Sequence, residues 1–246
     1  MLYGVFSDVH GNLEALKAVL EFFASKKVDG YLCCGDLVGY GPQPEECVRA
    51  VSALPGLRCV VGNHDLAAIG RLPLKWFNSY ATATIEYSRS KLSGQSCKFL
   101  ESLPDKIEAD GFTLVHGSPK NPVEEYLLSG DQFQESLPHL HTPLCLIGHS
   151  HMAFYISKRG VRFPETVPFQ DGEEKVKFED GLIYAVNAGS VGQPRDRDPR
   201  AACGLYDSKT RSFELFRLDY RRSLTQELMR RANLPEILVE RIGIGW

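Results

Sequence analysis

The sequence predicts an α/β (α+β) protein: a mostly parallel sheet with helical crossovers, followed by an antiparallel set of short strands. Three observations carry this. Residues 2–62 alternate apolar runs and amphipathic stretches in a β-α-β-α-β rhythm, the pattern of right-handed crossovers. Five apolar runs end in residues able to hold a metal. From residue 152 the helical pattern gives way to short strands with turn residues between them.

LYGVFS (2–7) reads as a buried strand. Asn12 then caps a helix whose Leu13, Leu16, Leu20 and Phe23 share one face. YLCC (31–34) is the second strand. Pro44, Glu45 and Glu46 start a second helix, with proline in the first turn and acids near the positive end of the dipole. Its apolar face is Cys47, Val48, Val51 and Leu54. RCVVG (58–62) is the third strand, and residues 73–102 read as helical. FTLVHG (112–117) and LCLIGH (144–149) are further strands, with a short helix capped by Asp131 and Gln134 between them. MAFYIS, VKFE, LIYAVN, CGLYD and FELFRL follow as an antiparallel meander. Ser223 and Gln226 form a capping box that opens a basic C-terminal helix. No repeat or linker divides residues 1–246, so one domain is expected.

Composition narrows the function. Of 246 residues, 43% are apolar and 24% charged, and the net charge is −3. With no basic run, the chain does not advertise a surface for long nucleic acid, which needs many cations on phosphates. The start MLYGVFSDVHG lacks a basic stretch ahead of a long apolar one, and no run reaches the roughly 18 apolar residues of a membrane span. Seven scattered cysteines without a C-x-x-C pair read as reduced core residues of a cytoplasmic protein.

The chemistry lies at the strand ends. Asp8 and His10 follow the first strand, Asp36 the second, and Asn63, His64 and Asp65 the third. His116 follows the fourth, and His149 and His151 the fifth. In open α/β sheets ligands collect beyond the carboxyl ends of strands, so five separate stretches can meet in one crevice. Four imidazoles with two carboxylates suit manganese, iron, cobalt or zinc better than calcium or magnesium. Asp36 stands alone in the middle of the set and is the natural bridge between two cations. Two divalent ions against Asp8 and Asp36 leave a charge of about +2, which suits a phosphate anion. Two ions roughly 3.5–4 Å apart can activate water and stabilise in-line displacement. Each short motif alone is an ordinary loop; their joint, ordered occurrence is the signal. His139 and His141 share the H-x-H spacing, yet they precede their strand in PHLHTP and read as solvated loop residues.

Asp8-x-His10, Gly35-Asp36-x-x-Gly39, Gly62-Asn63-His64-Asp65, His116-Gly117 and Gly148-His149-x-His151 together resemble the motif series of the calcineurin-like metallophosphoesterases. GDLVGYGPQP, HGSP and NAGSVGQPRDRDPRA resemble a compact bacterial-type phosphodiesterase and phosphatase branch. The resemblance implies a four-layer αββα sandwich, two mixed sheets flanked by helices, with a dimetal site at the sheet edge. It implies Asp8, His10, Asp36 and His151 on one metal and Asp36, Asn63, His116 and His149 on the other. His64 would contact substrate and assist the leaving group, oriented by Asp65. Where relatives often carry Asn-Pro-Gly-Ser, this chain has Asn187-Ala188-Gly189-Ser190. Arg195 is a candidate phosphate clamp, against the alternative of a solvated turn. Tyr40 is a candidate for stacking on a nucleobase, against that of a packed loop aromatic.

The expected activity is hydrolysis of a small phosphodiester, phosphomonoester or nucleotide by a metal-activated hydroxide. Its cofactors are two divalent transition-metal ions, manganese first, with iron, zinc, cobalt or nickel as alternatives. A dinucleoside polyphosphate hydrolase and a protein phosphatase are the rival enzymes. A metal-binding protein-interaction scaffold of the same fold is the non-enzyme rival, and homo-oligomerisation is left open.

Overall fold

The computed structural model describes residues 1–109, 111–169 and 174–246. Its first half follows the predicted rhythm: β1 (Leu2–Phe6), α1 (Leu13–Lys26), β2 (Gly30–Cys33), α2 (Pro44–Ser52), β3 (Leu57–Cys59) and α3 (Asn63–Ala68). Asn12 caps α1 by accepting the Ala15 N–H at 3.3 Å, and Pro44 opens α2. A short 3-10 turn at Leu74–Trp76 precedes α4 (Ser79–Lys91) and α5 (Gly94–Ser102). Then come β4 (Lys106–Ala109), β5 (Phe112–Val115), α6 (Gly130–Ser136) and β6 (Leu144–Ile147). The remainder is β7 (Ala153–Arg159), β8 (Glu165–Pro168), β9 (Glu174–Lys177), β10 (Leu182–Ala188), β11 (Ala201–Asp207), β12 (Ser212–Leu218), α7 (Arg222–Arg231) and α8 (Glu236–Ile244).

Two mixed six-stranded sheets result. One has the order β3-β2-β1-β11-β12-β9 and the other β4-β5-β6-β10-β7-β8. In the first, β1, β2 and β3 run parallel and the rest pair antiparallel. In the second, β5, β6 and β10 run parallel between antiparallel flanks.

Strand alternation makes the layers. Tyr3 and Val5 of β1 point into the core between the sheets with Leu32, Phe112, Leu146, Val186 and Phe213. Phe6 points the other way, into a core with Leu16, Val19 and Phe23 of α1 and Val48 of α2. On the far side, Phe133 of α6 packs on Val115, Cys145 and Ile147. The order is therefore helices, sheet, sheet, helix, the four-layer sandwich that the resemblance implied.

The second half departs from a simple meander. Strands β7, β8 and β10 enter one sheet while β9, β11 and β12 enter the other. Alternation within a strand marks its buried face but carries no information on which sheet that face meets. Strands β4 and β8 were not anticipated; their partly exposed residues give no apolar run. Two caps also differ. Helix α6 is capped by Ser129, with Gln132 Oε1 returning to the Ser129 N–H, not by the Asp131–Gln134 pair. Helix α7 starts at Arg222 without a side-chain cap, and Gln226 instead donates to the Val239 carbonyl at 2.8 Å, tying α7 to α8. All seven cysteines are free and six are buried. Among the described residues no helix is long and apolar enough to cross a membrane.

Phe213 sits fully buried between the sheets, close against Gly204, Phe169 and Leu215. Phe213→Ala removes that ring and leaves a cavity, so it should cost about 3–5 kcal/mol. Urea unfolding of the two proteins measures this directly.

Candidate metal and phosphate site

The parallel strands of both sheets deliver their carboxyl ends to one edge. Asp8, Asp36 and Asn63 come from β1, β2 and β3; His116, His149 and His151 come from β5 and β6. The turns that follow are tight. Asp8, His10, Asp36, His149 and His151 all have φ between 47° and 67°, the left-handed region. Asp and His tolerate this better than most residues, yet each position still costs about 1–2 kcal/mol. Such strain concentrates where function fixes the backbone.

The side chains form two buried groups, each within 4.8 Å: Asp8, His10 and His151, and Asp36, His116 and His149. In the first, His10 Nε2 lies 3.1 Å from His151 Nε2, and His151 Nε2 lies 3.4 Å from Asp8 Oδ1. In the second, His116 Nε2 lies 3.1 Å from His149 Nδ1 and 3.0 Å from Asn63 Oδ1. Asp36 Oδ2 falls between them, 3.6 Å from His10 Nε2 and 3.3 Å from His116 Nε2. It is buried without a hydrogen-bond partner.

The outer ring nitrogens settle what points inward. His10 Nδ1 lies 2.8 Å from the Val38 carbonyl, His116 Nδ1 2.7 Å from that of Cys34, and His151 Nδ1 2.7 Å from that of Gln193. A carbonyl only accepts, so each Nδ1 carries a proton, and each Nε2 of a neutral ring turns a lone pair inward. His149 is reversed, with Nε2 facing the Glu124 carbonyl at 3.3 Å and Nδ1 inward. Such outer hydrogen bonds fix metal-binding imidazoles in their ligand tautomer. Lone pairs that face each other near 3 Å repel unless a cation lies between them, so this donor set fits divalent metal.

Charges respond to the crowding. Burial lowers the pKa of His10 to about 4 and of His149 and His64 to about 3, and it holds His151 well below the ordinary range. These rings are neutral, the state in which His10, His149 and His151 can serve as ligands. Burial, with the charge of Asp36 close by, raises Asp8 to about 7. Asp36 feels the same burial, but the His116 and His64 rings outweigh it and hold it well below the usual carboxylate range. Burial also opposes charge on His116, yet Asp36 pulls its pKa up to about 9. The site without cations is thus an acid–imidazolium compromise that metal would replace.

His64 stands beside the two groups. Its backbone N–H donates to Asp36 Oδ1 at 2.9 Å. The ring is held by packing against Tyr40 at 4.6 Å, His10 at 4.8 Å and Phe77 at 5.1 Å between centroids. A Cβ on Gly39 would come within 2.4 Å of His64 Nδ1, so only glycine admits the ring there. Asp65 does not orient His64 as the resemblance implied. Its carboxylate instead accepts from the backbone N–H groups of Asp36, Leu37, Val38 and Gly62 at 2.8–3.2 Å. His64 Nδ1 is buried and unpartnered. Burial and the Asp36 charge raise the Asp65 pKa to about 7, against four donors that favour its ionised form.

Tyr40 takes the packed alternative, not base stacking. It is 8% exposed, at φ 52°, with its ring against those of His10 and His64, which also meet each other. Arg195 Nη2 donates to Tyr40 Oη at 3.3 Å and to Gln193 Oε1 at 3.0 Å. Arg195 therefore borders the site, whereas Arg200 is paired with Asp198 and Arg197 is exposed. His139 and His141 are exposed and outside both groups.

Several positioning residues escaped the sequence reading. Ser190 Oγ donates to the Asp8 carbonyl and accepts from the Gln193 N–H, both at 2.8 Å. Asn187 Nδ2 donates to the Gly148 carbonyl at 2.6 Å and to Ser150 Oγ at 3.0 Å. Asn187-Ala188-Gly189-Ser190 thereby ties the Asp8 loop to the His149–His151 loop. The phrase NAGSVGQP was the available signal, but hydrogen bonds over separations of 39 and 182 residues leave no local pattern.

Asp65→Ala tests the loop-holding role. It leaves four buried N–H groups without their acceptor, so it should destabilise the protein by about 3 kcal/mol or more. It should also lower bound metal through the displaced Asp36. Unfolding and elemental analysis check both effects; retained stability would refute the role.

Comparison with known proteins places this geometry. Residues 1–211 match the calcineurin-like phosphoesterase superfamily domain. An uncharacterised protein of Methanocaldococcus jannaschii is 34% identical over 252 residues, covering 99% of this chain and 98% of its own length. A metallophosphoesterase from Sphaerobacter thermophilus has a solved structure that is 39% identical, with a TM-score of 0.88 over 100% of this chain and 99% of that one. A symmetrical bis(5′-nucleosyl)-tetraphosphatase of Psychromonas ingrahamii is 44% identical over 64 residues, 25% of this chain and 23% of that protein. Sequence, fold and donor set agree over nearly the whole length, and the chain belongs to the calcineurin-like phosphoesterase superfamily, a family of dimetal-dependent hydrolases of phosphate esters.

Proposed function

We propose that this chain, as one domain of residues 1–246, hydrolyses a small phosphodiester, phosphomonoester or nucleotide with two divalent transition metals, manganese first. The observation that carries the reading is Asp36 Oδ2, a buried oxygen without a partner, within 3.6 Å of ring nitrogens from both groups. Asp8, His10, Asp36 and His151 would hold one ion, and Asp36, Asn63, His116 and His149 the other. Bound there, the metals supply the activation of water and the neutralisation of phosphoryl oxygens.

The chain's own residues do the rest. With Nδ1 of His64 buried against Gly39, Nε2 is the nitrogen left to face the substrate cavity. The pKa of about 3 belongs to the ring without substrate; an anionic phosphate against it would favour the imidazolium, which would donate its Nε2 proton to the leaving oxygen as the P–O bond breaks and return to the neutral ring. Arg195, steadied by Tyr40 and Gln193, would pair with a phosphate oxygen at the rim. Residues beyond the family match help build the same domain: Thr225 of α7 donates to Asn12 Oδ1 at 3.0 Å, behind the Asp8–His10 loop. The local likeness to a dinucleoside tetraphosphatase supports a second reading, hydrolysis of a dinucleoside polyphosphate.

Chelation should abolish hydrolysis of bis(p-nitrophenyl) phosphate and lower Tm by about 5–10 °C. Ligand at roughly 100 times its Kd stabilises by about 2.7 kcal/mol, and a chain of this size shifts about 2–4 °C per kcal/mol. Activity and a calorimetric scan before and after restoring Mn²⁺ measure both. Full turnover in verifiably metal-free protein would end the reading.

His64→Ala should retain both metals and lose about 10²–10⁴-fold in kcat. The loss should be greater on an alkyl or ribose ester than on a nitrophenyl ester, because nitrophenolate needs little protonation. Metal analysis with kinetics on both esters decides it: lost metal would make His64 a ligand, and equal losses would reject proton donation.

A further inference from the structure

Beside the two metal-ligand groups lies a cavity of about 220 Å³, bounded by His64, His149, Trp76, Asn78, Glu124 and Tyr126 among others. Two aromatic residues at its wall are exposed. Trp76 is 58% exposed and Tyr126 43%. The turn carrying Trp76 is itself anchored, since Leu74 and Phe77 pack on the core and Phe77 meets the His64 ring. Trp76 is thus held out by a fixed turn. Tyr126 stacks one face on His149, with centroids 3.8 Å apart and planes at 16°. An exposed indole and an exposed phenol beside one polar cavity are apolar surface without a folding role.

The charge of the cavity defines what fits. No Lys or Arg lines it, and Glu124 is its one acid. A second phosphate is disfavoured there; an uncharged planar group is favoured. Asn78 Oδ1 already accepts the Ala81 N–H at 2.9 Å, which leaves its amide hydrogens to donate. Glu124 offers an acceptor for an amine. An aromatic ring with both donors and an acceptor on its edge meets all three demands. Bases stack on aromatic side chains whatever their sequence, because every base has a π face.

We propose that Trp76 and Tyr126 form the subsite for an amine-bearing nucleobase, with the nucleotide's phosphate at the two His/Asp groups. This rests on the phosphoesterase reading and narrows its substrate class to nucleoside phosphates. It moves base recognition from Tyr40, which also lines this cavity but is packed among His10, His64 and Arg195, to the two exposed rings.

The test compares two ligands that differ only in the base: the methylene phosphonate analogues of adenosine 5′-monophosphate and of ribose 5-phosphate, neither of which is hydrolysed. Trp246→Phe leaves Trp76 as the single tryptophan of the two in the chain. In the zinc-loaded protein the adenosine analogue should quench Trp76 fluorescence and the ribose analogue should not. By calorimetry Trp76→Ala should weaken the adenosine analogue by about 5- to 150-fold, with Trp76→Phe recovering most of it and the ribose analogue unchanged. Tyr126→Ala should act likewise, with zinc content measured alongside because its ring rests on His149. Equal affinity for the two analogues, or no effect of Trp76→Ala, overturns the subsite alone. Base-dependent binding without hydrolysis of any phosphate ester overturns the proposed function alone. Binding of neither analogue overturns the subsite, and the proposed function then rests on the hydrolysis of phosphate esters alone.

Discussion

The structure depends on six buried donor groups turned toward one another. Two carboxylates and four imidazoles converge at the sheet edge with their ligand atoms inward. Without cations this is an unfavourable arrangement: the lone pairs of His10 and His151 face one another, and charge is buried. The fold holds it by spending conformational freedom in the loops. Five of the six groups sit on residues in left-handed backbone, and their outer nitrogens are tethered to carbonyls from other loops. Gly62 shows how tight the packing is, since a Cβ there would lie 2.0 Å from Asp36 Oδ1. Each feature removes an alternative orientation of a ligand.

Rigidity reaches the site from behind. Asp65 gathers four backbone N–H groups and so joins the Asp36 loop to the start of α3. Asn187 and Ser190 do the same for the Asp8 and His149–His151 loops, across the seam between the sheets. Both sets of bonds place the groups of the site from outside it, which is how a site made of loops keeps its geometry.

Two cavities adjoin the site and differ in their lining. On one side the small cavity carries aromatic rings and a single carboxylate. On the other, Arg195 lies at a cavity of about 510 Å³ whose lining mixes Arg197 and Arg217 with Asp196 and Asp198 and with the apolar Leu128, Met152 and Phe169; Arg217 is paired with Asp196.

The sequence by itself determined the strand ends and their chemistry. Asp8, His10, Asp36, His116, His149 and His151 were legible because each follows an apolar run, and polarity at the end of such a run is a local signal. The helices α1 and α2 were legible for the same reason: caps and helical spacing lie within a few residues. Only the tertiary structure decided what depends on distant partners. The split of the later strands between two sheets, the use of Asp65 on backbone rather than on His64, and the burial of Tyr40 all follow from contacts between remote segments. The clasp of Ser190 on Asp8 is of the same kind. A side chain's residue type limits the bonds it can make, but which partner it meets is set by how the layers pack.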